Sequence, residues 1–228
     1  MKSLTVLVPV FNEEETVFES LQRLNSLNFV SEIIVLNDGS IDGTAEIVEK
    51  VINTDNRIKL ISFKKNEGKG AVLDKSRRYI SSDYVVIHDA DLEYFPNDFY
   101  EMIKLANGKN MVLGSRFIGN KSRSNVYLRT YYANRFMSLF FSLVNMKYVS
   151  DVSTCYKMMP SNFFKTTRFK EKGFSIEIEM ISRFLKVSRE ITEVPISYSG
   201  RSYEEGKKIK FVDGILYLMK TVQYKFLN

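Results

Sequence analysis

The stretch Tyr84-Val85-Val86-Ile87-His88-Asp89-Ala90-Asp91 joins an apolar, largely β-branched run directly to two carboxylates. A short run of this kind is typical of a buried strand, so both acids are predicted to lie at its carboxyl end. Residues two apart on extended backbone project to the same side, and the small Ala90 leaves room between Asp89 and Asp91. The stretch therefore predicts a strand that ends in a pair of neighbouring carboxylates.

Similar apolar runs recur through the first half of the chain, and helical patterns separate them. The predicted strands are Thr5–Val10, Glu32–Asn37, Ile58–Phe63, Tyr84–His88 and Met111–Ser115. The predicted helices between them are Glu14–Ser26, Asp42–Asn53, Gly70–Ile80 and Asn97–Ala106. This alternation predicts an α/β fold with a parallel sheet. Ligands are expected where the strands end at their carboxyl side.

The alternation stops after Arg116. Helical patterns then cover residues 127–144, 175–186 and 212–226, and a strand pattern covers residues 190–198. No repeat, low-complexity segment or linker separates the two parts. We therefore expect a single domain, residues 1–228, with one half at 1–116 and the other at 117–228.

The composition excludes several classes of protein. The chain has 228 residues, of which 44% are apolar and 26% charged, which is typical of a folded globular domain and excludes disorder, collagen and coiled coil. The best candidate for a spanning helix, Phe136 to Val144, is broken by Ser138 and Ser142 and falls well short of the ~20 apolar residues required. The apolar N-terminus runs into Asn12-Glu13-Glu14-Glu15 without a cleavage site, so it is predicted to be a strand and not an export signal.

The one cysteine, Cys155, cannot form an internal disulfide, which favours a reducing compartment. The one histidine, His88, is expected to be a packed or solvated side chain and not a ligand.

The positive charge is concentrated in one segment. The chain carries +6 at pH 7, and residues 115–150 contain six basic residues and no acid. The same segment holds an aromatic-rich helical pattern. It predicts either a helix that lies on a membrane surface or a helix that packs into the core and presents a basic outer face.

The pair Asp89 and Asp91 suits a hard divalent cation, Mg²⁺ or Mn²⁺, which could neutralise a departing diphosphate. The alternative is a solvated turn after a strand. Further segments bear on this choice. They are Pro9-Val10-Phe11-Asn12-Glu13-Glu14, residues 36–44, Asn66-Glu67-Gly68-Lys69-Gly70, residues 89–94, Gly114-Ser115-Arg116-Phe117, and residues 151–157, 174–179, 193–198 and 200–209.

In these segments, which cover nearly the whole chain, the sequence resembles the family 2 glycosyltransferases, inverting enzymes of the GT-A fold. Within them it is similar to the dolichyl-phosphate mannose synthase-like branch. The resemblance implies a Rossmann-like, mostly parallel nucleotide-binding sheet flanked by helices and a C-terminal acceptor-side helical portion. Residues 1–116 would bind the nucleotide sugar, and residues 117–228 would face the acceptor.

The resemblance also implies roles for individual residues. Donor and nucleotide binding is implied for Pro9, Phe11, Glu13, Asp38, Lys69, Asp89, Ala90, Lys207 and Lys208. Asp89 and Asp91 correspond to the metal-binding pair. Arg116, Arg129 and Arg201 match arginines that hold the acceptor's phosphate, a task that suits the planar guanidinium fork. The implied catalytic residues are Asp91, Asp151 and Arg201.

The expected activity is metal-dependent, inverting transfer of a hexose from a nucleotide diphosphate sugar, of the GDP-mannose or UDP-glucose type, to a polyprenyl phosphate. The enzyme would act at the cytoplasmic face of the membrane, bound peripherally or through a separate anchor protein. The alternative acceptor is a saccharide or glycolipid hydroxyl, for which Asp151 would be the general base. A nucleotidylyltransferase would need a glycine-rich, arginine-containing loop where this chain has Phe11 to Glu14, and no nucleic-acid-binding signature is present.

Overall fold

The computed structural model describes residues 2–125, 127–200 and 211–227. The strands are β1 (Leu4–Val10), β2 (Glu32–Asn37), β3 (Ile58–Ser62), β4 (Tyr84–Ile87), β5 (Met111–Ser115), β6 (Arg123–Ser124), β7 (Lys157–Pro160), β8 (Ile191–Pro195) and β9 (Tyr198–Ser199). The α-helices are α1 (Val17–Asn25), α2 (Thr44–Ile52), α3 (Lys69–Ser76), α4 (Phe99–Leu105), α5 (Leu128–Asn145), α6 (Ser161–Thr166), α7 (Ile176–Val187) and α8 (Phe211–Phe226). The five strands and the helices predicted from the alternation are confirmed, with small shifts at their ends.

The described residues form a seven-stranded sheet in the order β3-β2-β1-β4-β7-β5-β8, beside a two-stranded β6-β9 sheet. All pairings in the large sheet are parallel except those of β7, which runs antiparallel to both β4 and β5. The predicted mixed α/β fold with a mostly parallel sheet is therefore confirmed. The sequence patterns did not predict β7, which inserts a late segment into the middle of the sheet.

The core lies on both faces of the central strands. Every residue of β2 and β4 is buried, and β1 is buried except at Pro9. Parallel strands covered on both faces read as continuous apolar runs, which is why the patterns located them. No helix within the described ranges has both the length and the apolar composition that a bilayer-crossing segment requires.

Candidate functional site

The predicted site residues gather where the order of the strands changes direction. From β1 the chain leads to β2 on one side, whereas β4 lies on the other side of β1. Asp89 and Asp91 follow β4, and Phe11 and Glu13 follow β1. Open α/β sheets bind ligands in the crevice outside the carboxyl ends of the strands at such a point. The topology therefore marks this edge as the candidate site.

A line of alternating charges leads from this edge into the protein. The Lys69 Nζ lies 2.7 Å from Asp89 Oδ1 and 2.8 Å from Glu177 Oε1. The other carboxylate oxygen of Glu177 accepts from Lys157, which also donates to the Thr154 carbonyl oxygen. The side chains of Glu177 and Lys157 are 3% and 0% exposed. The buried Lys157 and the largely buried Lys69 therefore share one buried glutamate, and Lys69 also contacts the predicted metal ligand.

These contacts shift the protonation of the pair at the site. Burial opposes the charge on Lys69, but Asp89 and the other groups around it outweigh burial and raise its pKa well above the ordinary value. Burial likewise raises the pKa of Asp89, but the charge and hydrogen bond of Lys69 prevail, and the net pKa is lowered. Both groups are therefore ionised at neutral pH.

The turn after β4 carries the second carboxylate. Leu92 has a φ of 64°, in the left-handed region, and this tight turn lets the Glu93 N–H donate to Asp91 Oδ1 at 3.3 Å. Glu93 Oε2 in turn accepts from the Tyr198 hydroxyl at 2.7 Å. A non-glycine residue with positive φ is uncommon and often occurs at functional sites. The turn thus fixes Asp91 next to a glutamate that is held by a second strand.

Arg116 and Asp151 form a buried two-point ion pair at the end of β5. The Arg116 Nε donates to Asp151 Oδ2 at 2.8 Å and its Nη2 donates to Oδ1 at 2.9 Å. The Arg116 backbone N–H also donates to Oδ2 at 3.1 Å. Burial raises the pKa of Asp151, but Arg116 outweighs it and holds that pKa below the ordinary value. Asp151 is fully buried and Arg116 is 9% exposed, so both oxygens of the carboxylate are taken up by one arginine.

Aromatic rings surround the guanidinium of Arg116. Its Cζ lies 5.1 Å from the ring centre of Tyr198, 5.6 Å from that of Phe117 and 5.9 Å from that of Tyr94. Such cation–π contacts orient an arginine without using up its N–H donors. Arg129, by contrast, is an exposed residue in the first turn of α5. Arg201, Lys207 and Lys208 lie outside the described residues.

The predicted nucleotide-pocket residues occupy the loops after β1 and β2. Asp38 is buried, and its two oxygens accept the backbone N–H groups of Glu67 and Gly68 at 2.8 and 2.7 Å. Glu13 is also buried, and its backbone N–H donates to Thr44 Oγ1 at 2.8 Å. The Phe11 ring remains 39% exposed at the mouth of the crevice. In this structure Asp38 anchors the loop that leads into α3.

The loop that leads into α3 packs closely against the backbone of the loop before α7. A Cβ on Gly68, where φ is +97°, would lie 2.5 Å from the Lys172 carbonyl oxygen. A Cβ on Gly70 would lie 2.0 Å from the Glu171 carbonyl oxygen. The Gly70 N–H donates to Lys172 O at 2.6 Å. Glycines thus let the start of α3, with Lys69 on it, approach the loop before α7.

The fit of a metal ion rests on the chemistry of the available donors. Asp89 and Asp91 present hard carboxylate oxygens, which Mg²⁺ and Mn²⁺ prefer, and both side chains are partly exposed at the crevice. Across the part of the chain that the structure describes, no three His, Cys, Asp or Glu side chains are grouped as a metal site. The donor set therefore fits an ion that takes its remaining ligands from water and from phosphate.

Two residues near the site were assigned no role from the sequence. Lys157 lies on the unpredicted β7, and Glu193 on β8 accepts from the backbone N–H and the hydroxyl of Ser150, next to Asp151. His88 is packed as expected: its Nδ1 lies 3.0 Å from the Tyr156 hydroxyl and its Nε2 lies 3.1 Å from Ser20 Oγ. Burial lowers the pKa of His88 to about 4, so it is neutral at pH 7.

Comparisons with known proteins identify a matching family model, related sequences and similar solved structures. The family model described as "Glycosyl transferase family 2" matches residues 5–170. An uncharacterized protein of Methanocaldococcus jannaschii is 25% identical over 221 residues, which are 90% of this chain and 94% of that protein. The undecaprenyl-phosphate 4-deoxy-4-formamido-L-arabinose transferase of Salmonella choleraesuis is 24% identical over 213 residues, and the match spans 91% of this chain but only 63% of that protein.

Among solved structures, the chain is similar to glucosyl-3-phosphoglycerate synthase from Mycobacterium tuberculosis. The complex of that enzyme with Mn²⁺, UDP and glucosyl-3-phosphoglycerate matches with a TM-score of 0.73 and 16% identity, covering 98% of this chain and 80% of that one. The complex with Mn²⁺, UDP-glucose and phosphoglyceric acid matches with a TM-score of 0.72 and 17% identity, covering 98% and 79%. At this level of identity the likeness concerns the fold.

Proposed function

Because the chain belongs to glycosyl transferase family 2 and has the GT-A fold, it is a glycosyltransferase, and we propose that it transfers a hexose to a polyprenyl phosphate. The donor would be a nucleotide diphosphate sugar of the GDP-mannose or UDP-glucose type. Transfer would depend on Mg²⁺ or Mn²⁺ and would invert the configuration at the anomeric carbon. The enzyme would work in the cytoplasm, associated peripherally with the inner face of the membrane.

The state of Asp151 is the observation that carries this choice of acceptor. A hydroxyl acceptor must lose a proton as it attacks, so the enzyme needs a base near the acceptor. Asp151 is fully buried, both of its oxygens accept from Arg116, and its pKa lies below the ordinary value. A carboxylate in this state is a weak and inaccessible base. A phosphate acceptor is already ionised near neutral pH and needs no such base.

The relatives add support of a coarser kind. The Salmonella transferase acts, by its name, on undecaprenyl phosphate, and a polyprenyl phosphate offers the same chemistry to Arg116. Under this proposal the Arg116 guanidinium, held in place by Asp151 and its ring of aromatic side chains, faces the acceptor phosphate with its remaining donors. Arg129 and Arg201 would supply further positive charge there.

The donor side of the site would be built around Asp89 and Asp91. These carboxylates would hold the metal ion, which supplies positive charge for the departing diphosphate. Lys69 keeps Asp89 ionised and adds a second positive charge at the same edge. Pro9, Phe11, Glu13, Asp38 and Ala90 would line the nucleotide pocket, and Lys207 and Lys208 would approach the diphosphate. The M. tuberculosis complexes with Mn²⁺ and UDP are consistent with this arrangement.

The reaction itself would then need little chemistry from the protein. An acceptor phosphate oxygen attacks the anomeric carbon from the face opposite to the leaving nucleoside diphosphate, the bond to that diphosphate breaks, and the configuration inverts. Arg116 positions the nucleophile, and the carboxylate edge positions the donor. Orientation and charge neutralisation would supply most of the rate.

The test uses purified protein with labelled GDP-mannose and UDP-glucose, polyprenyl phosphate in detergent, and Mg²⁺ or Mn²⁺. The proposal predicts labelled lipid that requires the metal, is abolished by chelation and is absent when polyprenol replaces polyprenyl phosphate. Asp91→Asn should reduce transfer strongly, whereas Glu46→Gln, a neutralised acid on the exposed side of α2, should not. Transfer to a soluble saccharide or to polyprenol, without transfer to polyprenyl phosphate, would show that the acceptor is a hydroxyl.

A further inference from the structure

Helix α5 is amphipathic in the opposite sense to a helix of an ordinary soluble protein. Its buried face is mostly polar and consists of Ser138, Phe141, Ser142 and Asn145. Its exposed side chains include an apolar stripe of residues three or four apart. The stripe is formed by Leu128 (72% exposed), Tyr132 (66%), Phe136 (59%), Leu139 (56%), Leu143 (69%) and, just past the helix, Met146 (82%). The sequence left open a core-packing helix with a basic outer face, but the outer face of α5 is mainly apolar.

Helix α8 continues this apolar surface. α5 and α8 pack against each other, and a Cβ on Gly214 would lie 4.0 Å from Met137 Sδ. The exposed stripe of α8 is also apolar at helical spacing and consists of Ile215 (46%), Met219 (63%), Val222 (39%) and Phe226 (68%). We call the two stripes together the α5–α8 face. Contiguous exposed apolar surfaces often mark interaction sites.

The charge on the two helices of the α5–α8 face is mainly positive. Residues 117–150 contain no acid, and the sequence of α8 contains one, Asp213, near its start. Basic residues lie along both helices or at their ends, among them Arg129, Lys147 and Lys225. Tyr132 and Tyr148 add exposed phenol rings. Apolar residues with basic residues and tyrosines at their border are the composition of helices that lie in the interface of an anionic bilayer.

A row of aromatic rings joins this face to the candidate acceptor site. The exposed Tyr132 ring lies 5.4 Å from the Tyr131 ring, and Tyr131 lies 5.3 Å from Phe117. The Phe117 ring is in turn 5.6 Å from the Arg116 guanidinium. The face and the phosphate-binding arginine are therefore neighbours in space.

We propose that the α5–α8 face docks onto the surface of an anionic lipid bilayer, with its apolar stripes at the level of the headgroups and the adjoining acyl chains. The docked orientation would bring Arg116 close to the headgroup layer, where the phosphate of a lipid acceptor lies. The inference rests on the proposed function for this last step, but the docking itself does not require an acceptor lipid or a donor.

A second copy of this chain is the other occupant to consider. A two-fold contact places the same patch of both copies face to face. The α5–α8 face would then bring basic residues together with no acid from the stripes to pair with them. Anionic lipid headgroups supply the missing negative charge, so the charge pattern favours the bilayer.

The test measures sedimentation of the full chain with phosphatidylcholine vesicles, with and without phosphatidylglycerol, in the absence of polyprenyl phosphate and donor. Wild-type protein should bind the anionic vesicles. The triple variant Phe136→Ser/Leu139→Ser/Leu143→Ser should lower the partition coefficient by about tenfold or more, which corresponds to about 1.4 kcal/mol. The matched control Phe18→Ser/Val187→Ser removes two side chains that are also exposed, 54% and 71%, but lie on α1 and α7, and it should bind normally.

Two further measurements locate the contact. Lys147→Glu/Lys225→Glu should weaken binding to anionic vesicles much more than binding to neutral ones. Because the native Cys155 is buried, an environment-sensitive thiol dye on a Leu139→Cys variant reports on the face, and its emission should shift to the blue when anionic vesicles are added.

The outcomes separate this inference from the proposed function. If the triple variant binds vesicles like wild type, or if the dye at position 139 does not respond, the α5–α8 face is not the docking surface. If wild type fails to bind vesicles and sediments as a dimer that the triple variant abolishes, the face joins two copies and the inference is wrong. If vesicle binding follows the prediction but polyprenyl phosphate is not glycosylated, the docking surface stands and the proposed acceptor does not.

Discussion

Replacing Asp151 by asparagine removes the charge that faces Arg116 while keeping the size of the side chain. The carboxylate accepts three N–H groups of Arg116, at 2.8, 2.9 and 3.1 Å. An asparagine in the same place offers one oxygen, and its amide N–H₂ would face N–H donors. The change therefore leaves a guanidinium of an arginine that is 9% exposed without its counter-charge.

The expected cost follows from this geometry. Losing charge-assisted hydrogen bonds costs about 1.5–3 kcal/mol each, and breaking a buried ion pair by removing one partner costs about 3–5 kcal/mol. We expect Asp151→Asn to lower the free energy of unfolding by an amount in the latter range. Arg116→Met should cost a similar amount, because it strands the buried carboxylate. The double variant removes both charges, so it should cost at least about 2 kcal/mol less than the sum of the single changes.

Urea unfolding of the four proteins at pH 7 measures this coupling. Because the pKa of Asp151 is lowered in the folded protein, its contribution is fully present above the unfolded value of about 3.9 and is lost as the pH falls through the folded value. The coupling should therefore shrink on acidification below about pH 4. Costs of the single variants that add to within about 0.5 kcal/mol in the double variant would refute the account of Arg116 and Asp151 as one ion pair.

Three further changes test other parts of the site by denaturant unfolding. His88 is neutral in the folded protein, because burial lowers its pKa from 6.5 to about 4. As the pH falls across that interval, the free energy of unfolding of wild type should therefore drop by about 3 kcal/mol relative to that of His88→Gln. A difference between the two proteins that stays constant with pH would contradict this. Glu177→Gln should lower the free energy of unfolding by about 3–5 kcal/mol, because it leaves buried lysine charge unpaired. Adding Lys157→Met should restore part of that stability. A further loss of stability in the double variant would argue against the shared ion pair. Gly70→Ala places a Cβ 2.0 Å from a backbone oxygen, so it should lower the free energy of unfolding by about 1–3 kcal/mol or more. In the control Gly173→Ala, the added Cβ has no atom within 4 Å, and the free energy of unfolding should stay within about 0.5 kcal/mol of wild type.

The strands that could be predicted from the sequence are those made almost entirely of apolar residues. β1, β2 and β4 are apolar runs covered on both faces, so their composition alone indicated them. β7 carries Lys157 and ends at Pro160, and it has four residues. Nothing in such a segment signals a central strand. It is buried only because the sheet places it between β4 and β5, which is a property of the tertiary fold.

The location of the candidate site was predictable, but its pairings were not. The carboxyl ends of parallel strands meet at one edge, which brought Asp89 and the residues after β1 to the same crevice. The ion pairs of Lys69 with Glu177 and of Arg116 with Asp151 join segments far apart in the chain. Local patterns carry no information on which distant acid a lysine or arginine will meet, and so the state of Asp151 became clear only in the structure.

The reversed amphipathicity of α5 has a cause in the site itself. Ser142 Oγ donates to the Ser138 carbonyl oxygen at 2.7 Å and accepts the Val149 N–H at 3.0 Å. Ser138 Oγ accepts the Val152 N–H at 3.1 Å. The polar inner face of α5 thus holds the loop that carries Asp151, and Asp151 in turn holds Arg116.

Because the inner face of α5 must satisfy the backbone of that loop, its large apolar residues other than the buried Phe141 are left partly or largely exposed, where contact with water is unfavourable. One helix therefore supports Arg116, the proposed acceptor-binding arginine, on one side and presents the proposed docking surface on the other. Under the docking proposal, the polar inner face that the loop needs and the apolar outer face that the membrane would need are two requirements on the same eighteen residues. Together they would account for a row of exposed apolar residues that neither a core helix nor a solvated helix would show.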